Sequence, residues 1–194
     1  MRFDMTVSEE KAALRSRIRA ERRGISEEER KLAALRVAER LVLLDEVAGA
    51  GVVLAYMPMK YELDILPAVE LLKARGVRAA FPLCIENGGL RLFIPSEKDG
   101  FKVGAYGILE PNVETAEEIS VSDLGAIILP AVGFDREGFR LGQGGGYYDR
   151  LLARSDCFCA AVGFDCQLVD KVPTEETDMP VNVVVTPSHT LVIR

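Results

Sequence analysis

Residues 129–152 read LPAVGFDREGFRLGQGGGYYDRLL. The stretch leaves an apolar run, Ala126 to Leu129. It passes Gly133, Gly138, Gly142, Gly144, Gly145 and Gly146, and enters Tyr147-Tyr148-Asp149-Arg150. A buried strand, a glycine loop and a helix in that order make an anion site. Glycines reach positive φ and let the backbone approach a ligand closely. Successive N–H groups then form a concave nest, and the helix start adds positive dipole. Arg140 supplies a fixed cation suited to bidentate phosphate binding. Turn geometry alone would explain a lone Gly-x-Gly. Five glycines within the nine residues 138–146, with Arg140 and Arg150 beside them, favour phosphate.

Two common phosphate patterns do not fit. The Walker pattern needs Lys then Ser or Thr after its last glycine, and Tyr147-Tyr148 occupies those places. The dinucleotide pattern needs Gly-x-Gly-x-x-Gly, and the run Gly142 to Tyr147 places tyrosine last. Asp165 does lie where a ribose-binding acid would belong in that fold, but the broken glycine pattern disfavours a dinucleotide enzyme.

Outward from the loop, further apolar runs read as strands: Val52 to Tyr56, Val77 to Phe81, Ala160 to Phe164 and Val183 to Thr186. Leu90 to Ile94 alternates, and Leu191 to Ile193 reads as an edge strand. Leu66 to Ala74 reads as a helix closed by Gly76. Residues 96–123 read as loop with a short helix near Ala116 to Ile119. At the start, Thr6 to Glu9 and Ser26 to Glu29 are capping boxes. The first opens a helix to Arg23, ended by Gly24. The second opens an amphipathic helix with Leu32, Leu35, Val37, Ala38, Leu41 and Val42, ending near Asp45. Strands alternating with helices predict an α/β fold: one three-layer domain over residues 1–194, with a mostly parallel sheet and helices on both faces.

Length and composition agree. The chain has 194 residues, 48% hydrophobic and 28% charged, with a net charge of −6. That suits a packed core and excludes a disordered or fibrous chain. No apolar run approaches the roughly 20 residues that span a bilayer. Glu9 and Glu10 sit where a signal peptide would be apolar, so a cytoplasmic protein without a membrane partner is expected. A net-acidic chain is a poor partner for nucleic acid across a broad surface. Residues 1–40 nevertheless carry 11 Lys and Arg against 8 Asp and Glu. Cys84, Cys157, Cys159 and Cys166 match no zinc spacing, with or without His189, and are expected as buried reduced thiols.

The stretch FDREGFRLGQGGGYYDRLL resembles the signature of the 5-formyltetrahydrofolate cyclo-ligase family, and the resemblance covers nearly the whole chain. Lys11 to Arg15 is similar to the family's opening Lys-x-x-x-Arg. Tyr56-Met57-Pro58 with Glu62 is similar to its folate segment. Gly107, Glu110-Pro111 and Asp123-Leu124 match before the signature. Gly163-Phe164, Gln167-Leu168 and Asp178-x-Pro180-Val181 match after it. Thr177 stands where members often have His, so no imidazole role carries over there.

The resemblance implies conversion of 5-formyltetrahydrofolate to 5,10-methenyltetrahydrofolate, with ATP and Mg2+ and release of ADP and phosphate. It implies phosphorylation of the formyl oxygen followed by attack of N10. Lys11, Arg140 and Arg150 would be catalytic. Lys11, Arg15 and the run Arg140, Leu141, Gly142, Gln143, Gly144, Gly145, Gly146, Tyr147 and Tyr148 would hold ATP. Met57, Glu62 and Tyr148 would line the folate site, and Asp149 and Asp178 would bind the metal. Lys11 and Arg15, four apart on a helix, can reach one anion. Asp149 and Asp178 offer the hard oxygens that magnesium takes. The small-molecule partners are folate and ATP, on a monomer or weak homodimer. The rival reading is a non-catalytic folate- or nucleotide-binding protein on the same scaffold.

Overall fold

The computed structural model describes residues 5–85, 88–104 and 107–193. Helices α1 (Val7–Arg23) and α2 (Glu27–Leu41) both begin at complete capping boxes. The Thr6 N–H donates to Glu9 Oε2 at 2.8 Å and the Ser26 N–H to Glu29 Oε2 at 2.9 Å. A cap of this kind is worth about 1 kcal/mol.

α2 ends at Leu41, earlier than the sequence reading placed it. The Val42 N–H still reaches Ala38, but those of Leu43 and Leu44 turn to Arg40 and Leu41, three residues back. That tightening ends an α-helix, and a separate short helix, α3 (Asp45–Ala48), follows. The expected apolar stripe is also corrected. Leu32 and Leu35 are exposed, and the buried face is Ala33, Ala34, Val37, Ala38 and Leu41. Small alanines bring α2 close to α4 (Leu66–Lys73). The larger leucines fall outside that contact.

One sheet of eight strands organises the rest, in the order β12-β11-β10-β7-β1-β2-β3-β6. Its centre is parallel: β11 (Val183–Val185), β10 (Phe158–Val162), β7 (Ala126–Pro130), β1 (Val52–Leu54) and β2 (Arg78–Cys84). The margins are antiparallel: β12 (Thr190–Val192), β3 (Leu90–Ile94) and β6 (Glu117–Ile119). One face packs Val53, Ile128, Val162 and Val183 under α2, α3 and α4. The other packs Leu54, Ile127, Leu129 and Val184 against Leu151 and Leu152 of α5 (Tyr147–Leu152). Each large side chain buried this way contributes roughly 1.5–3 kcal/mol. The three-layer α/β architecture expected from the sequence is the observed one.

Local corrections remain. β2 continues through Pro82, where the sequence reading stopped it. The β1 register ends at Leu54 against Ala80, so the ring nitrogen of Pro82 faces away from a ladder. The helix expected near Ala116 to Ile119 is edge strand β6. The region read as loop also holds a hairpin of β4 (Phe101–Val103) and β5 (Leu109–Pro111), lying against β2. All four cysteines are free, but only Cys159 is buried, where burial pushes its thiol up to about 12; Cys84 is exposed. No helix among the described residues is long and apolar enough to cross a membrane.

Candidate active site

The glycine loop leaves the carboxyl end of β7, near the middle of the sheet. A small hairpin of β8 (Gly133–Phe134) and β9 (Arg140–Leu141) carries the chain outward. Two buried polar side chains brace it. Asp135 accepts the N–H groups of Glu137, Phe139 and Val172 at 2.9–3.0 Å. Gln167 donates to the carbonyls of Ala131 and Val132 at 2.7 and 3.0 Å and accepts the Phe164 N–H at 2.9 Å. The brace presents Arg140 at the mouth of the loop. Gly144 (φ 106°) and Gly146 (φ 65°) then take the left-handed turns that aim the backbone into α5.

α1 closes the site from the other side. Ile18 packs on Val132, Leu141 and Val172, laying the helix along the loop. Arg15 Nε donates to the Gly142 carbonyl at 2.8 Å, and Arg19 Nη2 to Gln143 Oε1 at 2.5 Å. Lys11 Nζ lies 2.6 Å from Asp178 Oδ2 and 2.9 Å from Glu175 Oε2. Burial alone would lower its pKa. The bonds and charges of Asp178 and Glu175 outweigh that and hold it above the usual lysine value. Arg140 is nearly enclosed and forks between the Met179 carbonyl and Asp149 Oδ1, each at 2.8 Å.

These elements frame a groove of about 610 Å³. It holds Lys11, Arg15, Arg140, Leu141, Gly142, Gly144, Gly146, Asp149, Arg150 and Asp178. An apolar cavity of about 240 Å³ adjoins it, bounded by Met57, Glu62, Gln143, Gly145, Tyr147 and Tyr148. Arg140, Gly142, Gly146 and Asp149 line both spaces and so form the passage between them. Every residue that the family resemblance places in the site borders one space or the other. Arg150 is partly engaged: its guanidinium donates to the Gly88 and Gly145 carbonyls and lies over the Tyr147 ring.

Glu62 is buried and accepts the Met59 N–H at 3.1 Å and the Gln143 amide at 3.3 Å. It thus ties the glycine loop to the segment after β1. Burial, and then the charge of Glu62, push the Tyr148 and Tyr56 hydroxyls well above the ordinary tyrosine value. Both remain neutral, and the Tyr56 hydroxyl donates a hydrogen bond to the Leu63 carbonyl at 2.7 Å.

Asp149 and Asp178 face the same groove. Among the described residues no three His, Cys, Asp or Glu side chains gather into a metal cage. Two carboxylates beside a phosphate groove suit magnesium, which takes one or two carboxylates and completes its shell with phosphate and water. Asp165, the candidate ribose acid, does not border this groove. It holds the Ser188 N–H and hydroxyl at 3.1 and 2.9 Å, which disfavours the dinucleotide rival.

Three features lay outside the sequence reading. Glu175 sits in a polar run with nothing to mark it, yet it shares Lys11. Glu110 was noted in a matching segment without a role, and it lines the cavity from β5. Arg19, Arg22, Arg23 and Lys60 line a side groove that shares Met57, Met59, Leu109 and Gln143 with the cavity. The excess of cations in the first 40 residues was its only signal.

A glycine loop flanked by arginines and joined to an apolar cavity, on a three-layer α/β sheet, is an arrangement suited to an anionic ligand beside an organic one. The model of the 5-formyltetrahydrofolate cyclo-ligase family matches residues 7–187. The 5-formyltetrahydrofolate cyclo-ligase of Escherichia coli K12 is 34% identical over 176 residues, 88% of this chain and 97% of that protein. The Mycolicibacterium smegmatis cyclo-ligase is 28% identical over 193 residues, 94% of this chain and 96% of that one. The solved structure of Aquifex aeolicus 5,10-methenyltetrahydrofolate synthetase superposes with a TM-score of 0.83 at 34% identity, covering 95% of this chain and 93% of that one. The chain belongs to the 5-formyltetrahydrofolate cyclo-ligase family and is an enzyme of the cyclo-ligase type.

Proposed function

We propose that this enzyme converts 5-formyltetrahydrofolate to 5,10-methenyltetrahydrofolate in an ATP- and magnesium-dependent reaction, releasing ADP and phosphate. The observation that carries the reading is the passage at Arg140, Gly142, Gly146 and Asp149, where a groove rich in phosphate-binding groups opens into an apolar cavity. There the γ-phosphate of a nucleotide meets the formyl group of a folate. The side groove of Arg19, Arg22, Arg23 and Lys60 suits the carboxylates of the folate tail.

A formamide carbonyl is a poor electrophile and oxide is a very poor leaving group. Transfer of the γ-phosphoryl to the formyl oxygen gives an iminium phosphate. Folate N10 attacks its carbon and loses its proton to water, and phosphate leaves. No protein nucleophile is required, so the residues position and neutralise. Lys11, Arg15 and Arg140 bind phosphate oxygens, with Arg150 beside them. The N–H groups of residues 142–146 cradle the chain of phosphates. Gln143 and Glu62 hold the two binding regions in register, and Met57 and the Tyr148 ring face the folate. Asp149 and Asp178 would hold Mg2+, which supplies charge neutralisation to the phosphates. The enzyme works as one domain, in the cytoplasm, as a monomer or weak homodimer.

The test is purified protein with 5-formyltetrahydrofolate, with and without Mg-ATP, followed by methenyl absorbance and ADP release. Product should need both ATP and the divalent cation, one ADP per turnover. Folate binding with no ADP release would instead establish the non-catalytic rival.

A further inference from the structure

The cavity presents three carboxylates, and two of them have partners. Glu62 is held by the Met59 N–H and the Gln143 amide, and Asp149 by Arg140. Glu110 takes no hydrogen bond or ion pair from any described residue. It stands on β5, on the wall that also carries Cys84 and Leu90, and it does not border the phosphate groove. Its carboxylate rests over Gly104, where an added Cβ would lie 2.1 Å from Glu110 Oε2. Burial and then the Glu110 charge raise the nearby Cys84 thiol.

The substrate named under the proposed function, on which this inference rests, has three chemically distinct sides. The formyl group and N10 are one, the glutamate carboxylates another, and the N3–H and 2-amino group of the fused ring the third. The cavity opens on two sides, towards the phosphate groove and towards the cations of the side groove. With the formyl oxygen at the first and the tail at the second, the ring's donor edge meets the remaining wall. Adjacent N–H donors are what a carboxylate accepts with both oxygens. We infer that Glu110 is a specificity-determining residue, whose carboxylate accepts the N3–H and 2-amino hydrogens of the substrate's ring.

Two binding titrations test this, using 5-formyltetrahydrofolate and its 2-desamino-2-methyl analogue. Wild-type enzyme should bind the analogue about 10- to 100-fold more weakly, the range expected for losing charge-assisted hydrogen bonds. Glu110→Gln should weaken the natural substrate by a similar factor, bind the analogue almost as wild type does, and leave the affinity for Mg-ATP unchanged. A general packing defect would weaken both folates alike. Equal affinity of wild type for the two folates overturns the assignment and needs no variant. So does a Glu110→Gln enzyme that still discriminates between them. If wild type binds no 5-formyltetrahydrofolate, the proposed function itself falls.

Discussion

The Lys11 ammonium lies 2.6 Å from the Asp178 carboxylate, so the cation expected at the phosphates is joined to a carboxylate expected at the metal. Arg140 and Asp149 repeat the relationship at 2.8 Å. In both pairs a cation proposed to bind phosphate and a carboxylate proposed to bind the metal neutralise one another.

Lys11→Ala should therefore affect both stability and catalysis. A buried charge-assisted contact is worth roughly 1.5–3 kcal/mol, so kcat/KM for ATP should fall about 10-fold or more. The folded-state lysine pKa is raised. The pair's contribution to stability is then complete below the unfolded value, about 10.4, and is lost as pH rises through the folded one. The melting-temperature gap between wild type and variant should be constant near neutrality and close only in strong alkali. A variant with wild-type kinetics would return Lys11 to a purely structural role.

Gly144→Val and Gly145→Val should damage the loop by different routes. Position 144 has room, with the nearest atom of Arg15 at 3.9 Å, but its φ of 106° strains a β-branched residue. A Cβ at 145 would instead lie 2.7 Å from the Tyr147 ring. Both should lose ATP affinity in calorimetry while the circular dichroism spectrum stays unchanged. Wild-type affinity in both would reduce the glycines to turn geometry.

Asn at Asp149 or Asp178 keeps the shape and removes a charge. The magnesium concentration for half-maximal rate should rise in each variant. In Asp149→Asn the Arg140 guanidinium also loses its ionic partner, so KM for ATP should shift as well. A normal magnesium titration removes that residue from the metal site.

Asp135→Ala removes the acceptor of three N–H groups beneath the loop. Only the Val172 N–H bond is fully buried, and an unsatisfied buried donor costs about 1–3 kcal/mol, so urea unfolding should show a loss of about 1 kcal/mol or more. A change under 1 kcal/mol would mean that water replaces the carboxylate.

Continuous apolar runs made β1, β7 and β11 readable, because strands buried on both faces have nothing polar to show. β6 escaped notice for the opposite reason. Its exposed Glu117 and Glu118 pair with Arg78 of β2 and Arg91 of the adjacent β3, so no apolar period marks it. Glycine and arginine in order point to an anion site, whereas the proposed metal aspartates are marked only by the family resemblance. The pairing of Lys11 with Asp178 is marked by neither, since 167 residues separate them. Glu175 and Glu110 look like ordinary surface acids until the fold sets one beside Lys11 and the other on the cavity wall.

That separation in sequence sets the order of assembly. α1 is made before the sheet and the glycine loop, yet two of its anchoring partners, Glu175 and Asp178, are made after both. A nascent chain released to about residue 170 holds β1, β2, β7 and β10 together with the glycine loop. It has nothing to clasp Lys11, and the nucleotide groove stands open along one side. Ligand binding should then appear only when the segment carrying Glu175 and Asp178 has docked. The distant contact also slows closure of the site relative to the local helices, because a long loop must be closed first.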